Sequence, residues 1–153
     1  MDQNFRMPDL DPGLRADLAQ AIEAMPASRL VGLKVLGFAP GGVSALEMRV
    51  TPPLTFDGRI VQGGIVGLLA DYAGVSAASS ALPAGWAAST TGYEVHNLAP
   101  AAGERLVAIG EAVQVGKSHA VSTARVWSMS GGSTTLVAVA TTTCRPFDTS
   151  PRR

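Results

Sequence analysis

The stretch between Arg59 and Glu94 constrains the fold most, because it is almost uncharged and has the pattern of a helix. Its only formal charge is Asp71. Apolar side chains recur at helical spacing around this acid: Ile65, Leu68, Leu69 and Tyr72. The pattern predicts a helix over 64–81 that is apolar around most of its circumference. Such a helix must be covered on most sides, and an antiparallel sheet curved around it would supply that cover.

Six strand-like segments are available to cover the helix. Two precede it, at 30–38 and 43–50, and four follow it, at 88–98, 106–115, 120–129 and 133–144. We expect the four that follow to form a β-meander, because short connections between consecutive strands favour antiparallel pairing. Ahead of the strands, we expect a loose leader over 1–8 and a short amphipathic helix on the outside of the body. Asp11 would cap this helix, Pro12 would occupy its first position and Pro26 would end it. The sequence therefore predicts one α+β domain.

Composition narrows the class of protein. The 153 residues suit a single domain, and 46% hydrophobic against 16% charged residues predicts a subunit interface. Twelve Lys and Arg balance twelve Asp and Glu, so no basic field attracts nucleic acid. One cysteine, Cys144, cannot form an intrachain disulfide and suits a reducing compartment. The start lacks a signal-peptide pattern, and Asp71 argues against a membrane span over 60–83. We expect a cytoplasmic protein with no membrane partner.

Asp71 is the leading candidate for chemistry. An ionised carboxylate on a buried helix face is costly, because desolvation penalises the charge. Such a cost is often retained where a general base or nucleophile is needed. The alternative is a structural carboxylate that pairs with a backbone N–H or with an arginine such as Arg125.

The residues at the start of the helix offer hydrogen-bond donors. Gly63 and Gly64 would leave free backbone N–H groups there, able to polarise a carbonyl. Gln62 either caps the helix or donates from its amide to a substrate. Gly64 and Asp71 lie seven residues apart on nearly one face, a separation of about 10 Å at 1.5 Å per residue. Both can act on one carbon only if two antiparallel helices meet across a two-fold axis, so we expect a dimer with a composite site.

Other candidates are weaker. Lys117, Ser118 and His119 form either a solvated hairpin tip or a phosphate contact, and Arg59 is a similar candidate. Small residues at 73, 74 and 77 are candidate lining for a substrate pocket. Dinucleotide-binding and P-loop motifs are absent from the sequence, and the two histidines and one cysteine are too scattered to suggest a zinc site.

The arrangement Gln62-Gly63-Gly64, six residues, then Asp71, followed by four strands, resembles the hotdog-fold thioesterases of the phenylacetate-pathway (PaaI-like) type. The resemblance covers about 30–147, which we take as the hotdog domain, between an N-terminal region over 1–29 and a tail over 148–153. It implies dimers or tetramers that hydrolyse acyl-CoA thioesters at a subunit interface. It places the acid on Asp71, the oxyanion amide on Gly63 or Gly64, and a water-placing hydroxyl on Thr90, with Ser89 and Thr91 as neighbours.

Two positions depart from that family. Gln62 stands where a histidine is usual, and Phe56 stands where an asparagine is common. We expect hydrolysis of an acyl- or aroyl-CoA thioester. Gly64 and Gln62 would hold the carbonyl, Asp71 would activate water or attack, and Gly63, Arg59, Lys117, Ser118 and His119 would bind substrate. No metal or redox cofactor is expected, and coenzyme A would enter only as part of the substrate. The alternatives are a non-catalytic acyl-CoA binding module and, third, a hydratase.

Overall fold

The computed structural model describes residues 4–151 and consists of a six-stranded antiparallel sheet packed around one long helix. In chain order the elements are α1 (Ala16–Ala24), α2 (Pro26–Val31), β1 (Leu33–Ala39), β2 (Val43–Arg49), a 3₁₀ helix (Pro52–Leu54), α3 (Gly63–Ser80), β3 (Trp86–Asn97), β4 (Arg105–Val115), β5 (Ala120–Ser130) and β6 (Ser133–Asp148). The predicted α+β architecture, with an antiparallel sheet around a central helix, is confirmed.

Small residues let the sheet approach α3 closely. Gly110 on β4 lies against the Ala73 carbonyl, and a Cβ at that glycine would collide with it. Gly74 on α3 lies against Thr142 of β6 in the same way. The buried face of α3 is therefore the one that carries Ala73, Gly74 and Ala77. These close contacts fix the orientation of α3 on the sheet, and they thereby determine which of its residues point away from the sheet.

The strand order is β1-β2-β4-β5-β6-β3, so β3 is an edge strand. The predicted meander of the last four strands is therefore wrong for its first strand, which does not pair with β4. It pairs with β6 on one side, and a bulge falls between Thr90 and Gly92. Most of its residues are exposed, among them Trp86 and Tyr93. A long edge strand with exposed aromatic side chains is a ready site for pairing with another strand.

The N-terminal region differs from the sequence prediction. Asp11 does not cap a helix: its N–H donates to the Phe38 carbonyl at 2.8 Å, and its carboxylate accepts from Gly13. Helix α1 starts later, after Arg15, whose φ of 50° is left-handed. Pro26 ends α1 and also begins α2, since its fixed φ suits a first helical position. Strand β1 consequently starts at Leu33 and not at residue 30.

The predicted loose leader is also wrong for its described part. Phe5 packs edge-on against Trp127, with ring centroids 5.3 Å apart. Leu10 joins the same apolar cluster on β2, β4 and β5, which includes Ile109. Apolar contact with the sheet therefore holds this segment, while residues 1–3 lie outside the described residues. Among the helices of residues 4–151, none combines the length and apolarity that a bilayer span requires.

Candidate active site

Asp71 lies on the side of α3 that faces β3 and is partly buried. Its Oδ1 accepts a hydrogen bond from the Thr90 hydroxyl at 2.8 Å. Burial raises the pKa of the Asp71 carboxyl, and the bond from Thr90 opposes this rise. Within residues 4–151 no cationic group lies within 4.0 Å of the carboxylate. Asp71 is therefore an acid held without a compensating charge.

The alternative pairing of Asp71 with Arg125 does not occur. Arg125 instead lines a groove together with Glu94 and His96. His96 is itself exposed and lies 2.7 Å from the Glu94 carboxylate. His119 is at the hairpin between β4 and β5. Neither histidine lies beside Asp71 in the structure, so the acid-histidine pair that a hydratase would want is not present at this site.

Asp71 and Thr90 open into a largely apolar cavity of about 290 Å³. Its lining comes from three places, namely α1 and its end, the outer side of α3, and the paired ends of β3 and β6. The residues are Leu18, Ile22, Met25, Asp71, Tyr72, Val75, Ser76, Ser79, Ala87, Ala88, Ser89, Thr90 and Phe147. The prediction that the small residues at 73, 74 and 77 line the substrate pocket is wrong, because that face of α3 packs on the sheet.

Thr90 is the one of three neighbouring hydroxyl residues that reaches the acid. The Thr91 hydroxyl sits at the bulge and bonds to Thr143 of β6. Ser89 lines the cavity, with no bond to Asp71. Of these three hydroxyls, only that of Thr90 is bonded to the acid.

Gln62 is the N-cap of α3. Its side-chain Oε1 accepts from the backbone N–H of Gly64 at 2.7 Å and of Ile65 at 3.3 Å. The capping alternative is thus confirmed, and the Gly64 N–H is not open in this conformation. The predicted role of Gly64 as the oxyanion donor does not fit, because its hydrogen already has an acceptor. Since Oε1 is turned to the backbone, the Nε2 amide hydrogens of Gln62 are turned away from it.

Gly63 carries the open backbone donor. It is the first residue of α3, and none of the described residues accepts a hydrogen bond from its N–H. Gly63 also packs against the Asn97 side chain at the end of β3. A cavity of about 390 Å³ opens beside it, and exposed Phe56 and Leu98 are among its apolar lining residues. The helix start thus offers a donor next to an apolar surface.

The donor and the acid lie at opposite ends of one edge. Gly63 packs on Asn97, Gly67 packs on Val95, and Asp71 bonds to Thr90. Gly63 and Asp71 are eight positions apart in the helix, which is about 12 Å at 1.5 Å per residue. One chain therefore does not bring its own donor and acid to the same reacting atom.

The hairpin residues Lys117, Ser118 and His119 line a third cavity, of about 480 Å³. Arg145 and Trp86 line it as well, and Phe147 belongs both to this cavity and to the one at Asp71. The three predicted hairpin residues thus line a cavity that adjoins the one at Asp71. Arg59 does not: it precedes the start of α3, and its side chain is 84% exposed and 4.0 Å from Asp57.

Sequence reasoning missed the contribution of α1 and α2 to the site. The spacing of Leu18, Ile22 and Met25 places them on one apolar face of the predicted N-terminal helix, but it does not indicate which surface that face covers. The Ser28 hydroxyl on α2 donates to the Tyr72 hydroxyl at 3.0 Å and ties this segment to α3. The available signal was this apolar face of α1, because an apolar helix face packs against another apolar surface of the protein.

Comparisons with known proteins agree with this architecture. No protein-family model matches the chain, and the search of curated proteins finds no match. Among solved structures, a thioesterase family protein from Silicibacter pomeroyi is 26% identical with a TM-score of 0.83, covering 89% of this chain and 99% of that one. A thioesterase from Haemophilus influenzae is 18% identical with a TM-score of 0.75, covering 86% and 89%.

The PaaI protein from the phenylacetic acid degradation operon of E. coli is 22% identical with a TM-score of 0.73, covering 86% of this chain and 91% of that one. These structures confirm the predicted hotdog fold and the resemblance to thioesterase-superfamily proteins.

Proposed function

We propose that this chain is a thioester hydrolase that cleaves an acyl- or aroyl-CoA to the free acid and coenzyme A. The observation that carries the proposal is Asp71, an uncompensated carboxylate bonded by Thr90 at the mouth of an apolar cavity. The fold is shared with thioesterase-superfamily proteins, one of them 26% identical over 89% of this chain. An apolar cavity suits an acyl group, and an acid beside it suits activation of water.

The complete site, in this proposal, forms between two copies of the chain. A two-fold axis near Tyr93 would run β3 antiparallel to its copy. Thr90 of one strand would then lie near Asn97 of the other, because these two residues are about equally far from Tyr93 along β3. Asp71 of one subunit would thereby meet Gly63 of its partner. The exposed edge of β3 and the separation of donor and acid within one chain support this arrangement.

The Gly63 N–H and the Gln62 Nε2 amide then hold the thioester carbonyl oxygen. Asp71 removes a proton as water adds to the carbonyl carbon, and negative charge builds on that oxygen. The tetrahedral intermediate collapses, the C–S bond breaks, and the thiolate leaves and takes up the proton from Asp71. In the second version of the step, Asp71 attacks the carbon itself, the C–S bond breaks and the thiolate leaves. Water then hydrolyses the resulting anhydride, and the proton that this leaves on Asp71 passes to the thiolate. Thr90 keeps the carboxylate oriented in both. No metal or redox cofactor enters this reaction.

The coenzyme A phosphates bind, in this proposal, at the cavity lined by Lys117, Ser118 and His119. Arg145 adds a second fixed positive charge, and Trp86 offers an aromatic face. Cationic side chains recognise phosphate through charge-assisted hydrogen bonds. Phe147 lines both this cavity and the acyl cavity, so one ligand that occupies the two would contact it. Arg59 would contribute from the partner subunit.

The decisive experiment follows thiol release from a panel of CoA thioesters with a thiol reagent. Wild type is compared with Asp71→Asn, which keeps the shape of the side chain and an oxygen to accept from Thr90. A general base of this kind contributes about 10²- to 10⁴-fold, so we expect at least a hundredfold loss in kcat with the fold intact. Full activity in the Asn variant would remove Asp71 from the mechanism.

Subunit mixing tests the composite site. Asp71→Asn and Gly63→Pro chains, each inactive alone, are refolded together. Random pairing makes half of the dimers mixed, and each mixed dimer has one intact site of two, so about a quarter of wild-type activity should return. If each chain has its own site, the mixture stays inactive.

The second candidate function is an acyl-CoA binding module without catalysis. Gln62 favours it, because this residue stands in place of the usual histidine and its Oε1 is occupied with capping. Saturable acyl-CoA binding without thiol release in the same panel would decide for the binder. The cytoplasmic location and the choice between dimer and tetramer stay predictions.

A further inference from the structure

We propose that the segment formed by α1 and α2 is the end wall of the acyl pocket and sets the length of acyl group that the chain accepts. This inference rests on the proposed function, in which the cavity at Asp71 holds the acyl group. It assigns a specificity role to Leu18, Ile22 and Met25.

These three side chains come from an element that adds nothing else to the site. Leu18 and Ile22 are buried, and all three line the cavity that contains Asp71 and Thr90. An acyl chain that starts at Asp71 must therefore end against α1 or turn aside. Because the side chains are apolar, they contact methylene groups without an unpaired polar group on either side.

The wall is held rigidly by Arg15. Its side chain is only 9% exposed and donates to three backbone carbonyls, those of Ser79 at 2.7 Å, Leu82 at 2.9 Å and Trp86 at 3.0 Å. These oxygens lie at the end of α3 and at the start of β3, so one guanidinium joins α1 to both sides of the cavity. The left-handed backbone of Arg15, with φ of 50°, is the kind of strained conformation that surrounding contacts must maintain.

Two further bonds fix the other end of the segment. The Glu23 carboxylate accepts from the Val35 N–H at 2.8 Å and joins α1 to β1. Ser28 on α2 donates to the Tyr72 hydroxyl at 3.0 Å. A wall fixed at both ends resists displacement by a longer ligand, so its side chains define a limit to chain length.

The size of the cavity indicates which acyl groups fit. Its volume of about 290 Å³ lies just below the range of about 300–1,000 Å³ for small-molecule pockets. Aroyl groups and short to medium acyl groups therefore fit, and long fatty chains meet α1. One methylene too many in a closed apolar pocket typically changes selectivity by about tenfold or more.

The test changes the wall and measures chain-length preference. Met25→Ala and Ile22→Ala shorten the wall, and Met25→Phe and Ile22→Phe extend it into the cavity. The Met25 pair matters because Met25 is 44% exposed and its replacement disturbs the core less than that of Ile22, which is 4% exposed. Ala21→Phe is the matched control, since Ala21 is exposed on the same helix. Thermal unfolding checks that each variant is folded.

Binding is measured by calorimetry with S-butyl-, S-hexyl-, S-octyl- and S-dodecyl-CoA thioethers, which cannot be hydrolysed, and kcat/KM is measured with the corresponding acyl-CoA series. We expect the Ala variants to move the optimum to longer chains and the Phe variants to shorter ones, by about tenfold in relative affinity. The control should keep the wild-type profile. A folded Met25 pair with the wild-type profile in both series would overturn the proposal.

The thioether series separates the two proposals. If wild type binds thioethers with a length optimum that the wall variants move, but releases no thiol, the hydrolase proposal fails and the wall proposal stands. If wild type hydrolyses thioesters and the wall variants keep its length profile, the wall proposal fails alone.

Discussion

Replacing Gly63 by proline removes one backbone hydrogen from the site and leaves the helix able to form. Gly63 is the first residue of α3 and has no positive φ, and proline is favoured at that position because its fixed φ suits the helix. Gln62, the preceding residue, has φ −61° and ψ 135°, which is the extended backbone that a following proline requires. None of the described residues accepts a hydrogen bond from the lost N–H.

The expected effects on activity and stability therefore have opposite signs. Loss of one oxyanion donor costs about 3 kcal/mol of barrier, which is about 10²- to 10³-fold in kcat. Proline in a compatible conformation stabilises a protein by about 0.4–1 kcal/mol, because it restricts the unfolded chain. A change of this size raises the Tm of a domain of this length by about 1–4 °C.

Gly63→Ala is the matched control, because alanine retains the N–H. Its Cβ would lie 3.2 Å from Asn97 Nδ2, the end of a side chain that has room to move a few tenths of an ångström. The assay follows thiol release at saturating and limiting acyl-CoA, with thermal unfolding of the same samples. We expect the alanine variant to remain within a few-fold of wild type.

Two results would refute this reasoning. A proline variant with wild-type kcat means that the Gly63 N–H does not stabilise the transition state. Equal losses in both variants mean that crowding near Asn97, and not the missing hydrogen, lowers the rate. In either case the oxyanion donor must be sought at the Gly64 N–H, after movement of the Gln62 side chain.

Three further predictions concern the acid and the cations. The pKa of Asp71 is raised, so the folded chain keeps this proton to higher pH than the unfolded chain. Wild-type stability therefore falls as the pH rises from the ordinary pKa of 3.8 through the raised pKa. The Tm of Asp71→Asn should exceed that of wild type above this pH window, and the difference should vanish below it. Thr90→Val removes the bond that lowers the Asp71 pKa, so the acidic limb of the kcat profile should move to higher pH, while Thr90→Ser should keep the wild-type limb. Lys117→Ala combined with Arg145→Ala should raise KM for an acyl-CoA by about 3- to 10-fold through lost charge-assisted bonds, and should leave KM for the corresponding acyl-pantetheine, which lacks the nucleotide phosphates, unchanged.

The central helix and the succession of strands along the chain followed from the sequence, because both depend on periodicity. The place of β3 at the sheet edge beside β6 did not, because that pairing joins segments far apart in the sequence. Helix α3 begins at Gly63 and ends at Ser80, close to the predicted 64–81. Strand β3 begins earlier than predicted, at Trp86, and β6 ends later, at Asp148. These two residues pair with each other, so backbone pairing continues beyond the alternating side-chain pattern. The first and last residues of a strand depend on the strand with which it pairs, and the side-chain pattern of one sequence does not specify that partner.

The N-terminal region and the helix start could not be derived in the same way. Pro26 is compatible both with the end of one helix and with the beginning of the next, and periodicity does not choose between them. Arg15 takes a left-handed backbone that its residue type disfavours, because three distant carbonyls hold its side chain. The orientation of the Gln62 amide likewise depends on which local donors it meets, and this decided which glycine N–H stays open.

The separation of donor and acid is a property of the helix and not of any side chain. Gly63 and Asp71 belong to one regular helix, which packs on the sheet through Gly74 and Ala73 and along β3 through Gly67. No rotamer of Asp71 spans about 12 Å, and bending α3 would break its close contacts with β4 and β6. The two groups reach the same carbonyl only when a second chain supplies one of them. Pairing at the β3 edge is therefore a condition of the proposed chemistry.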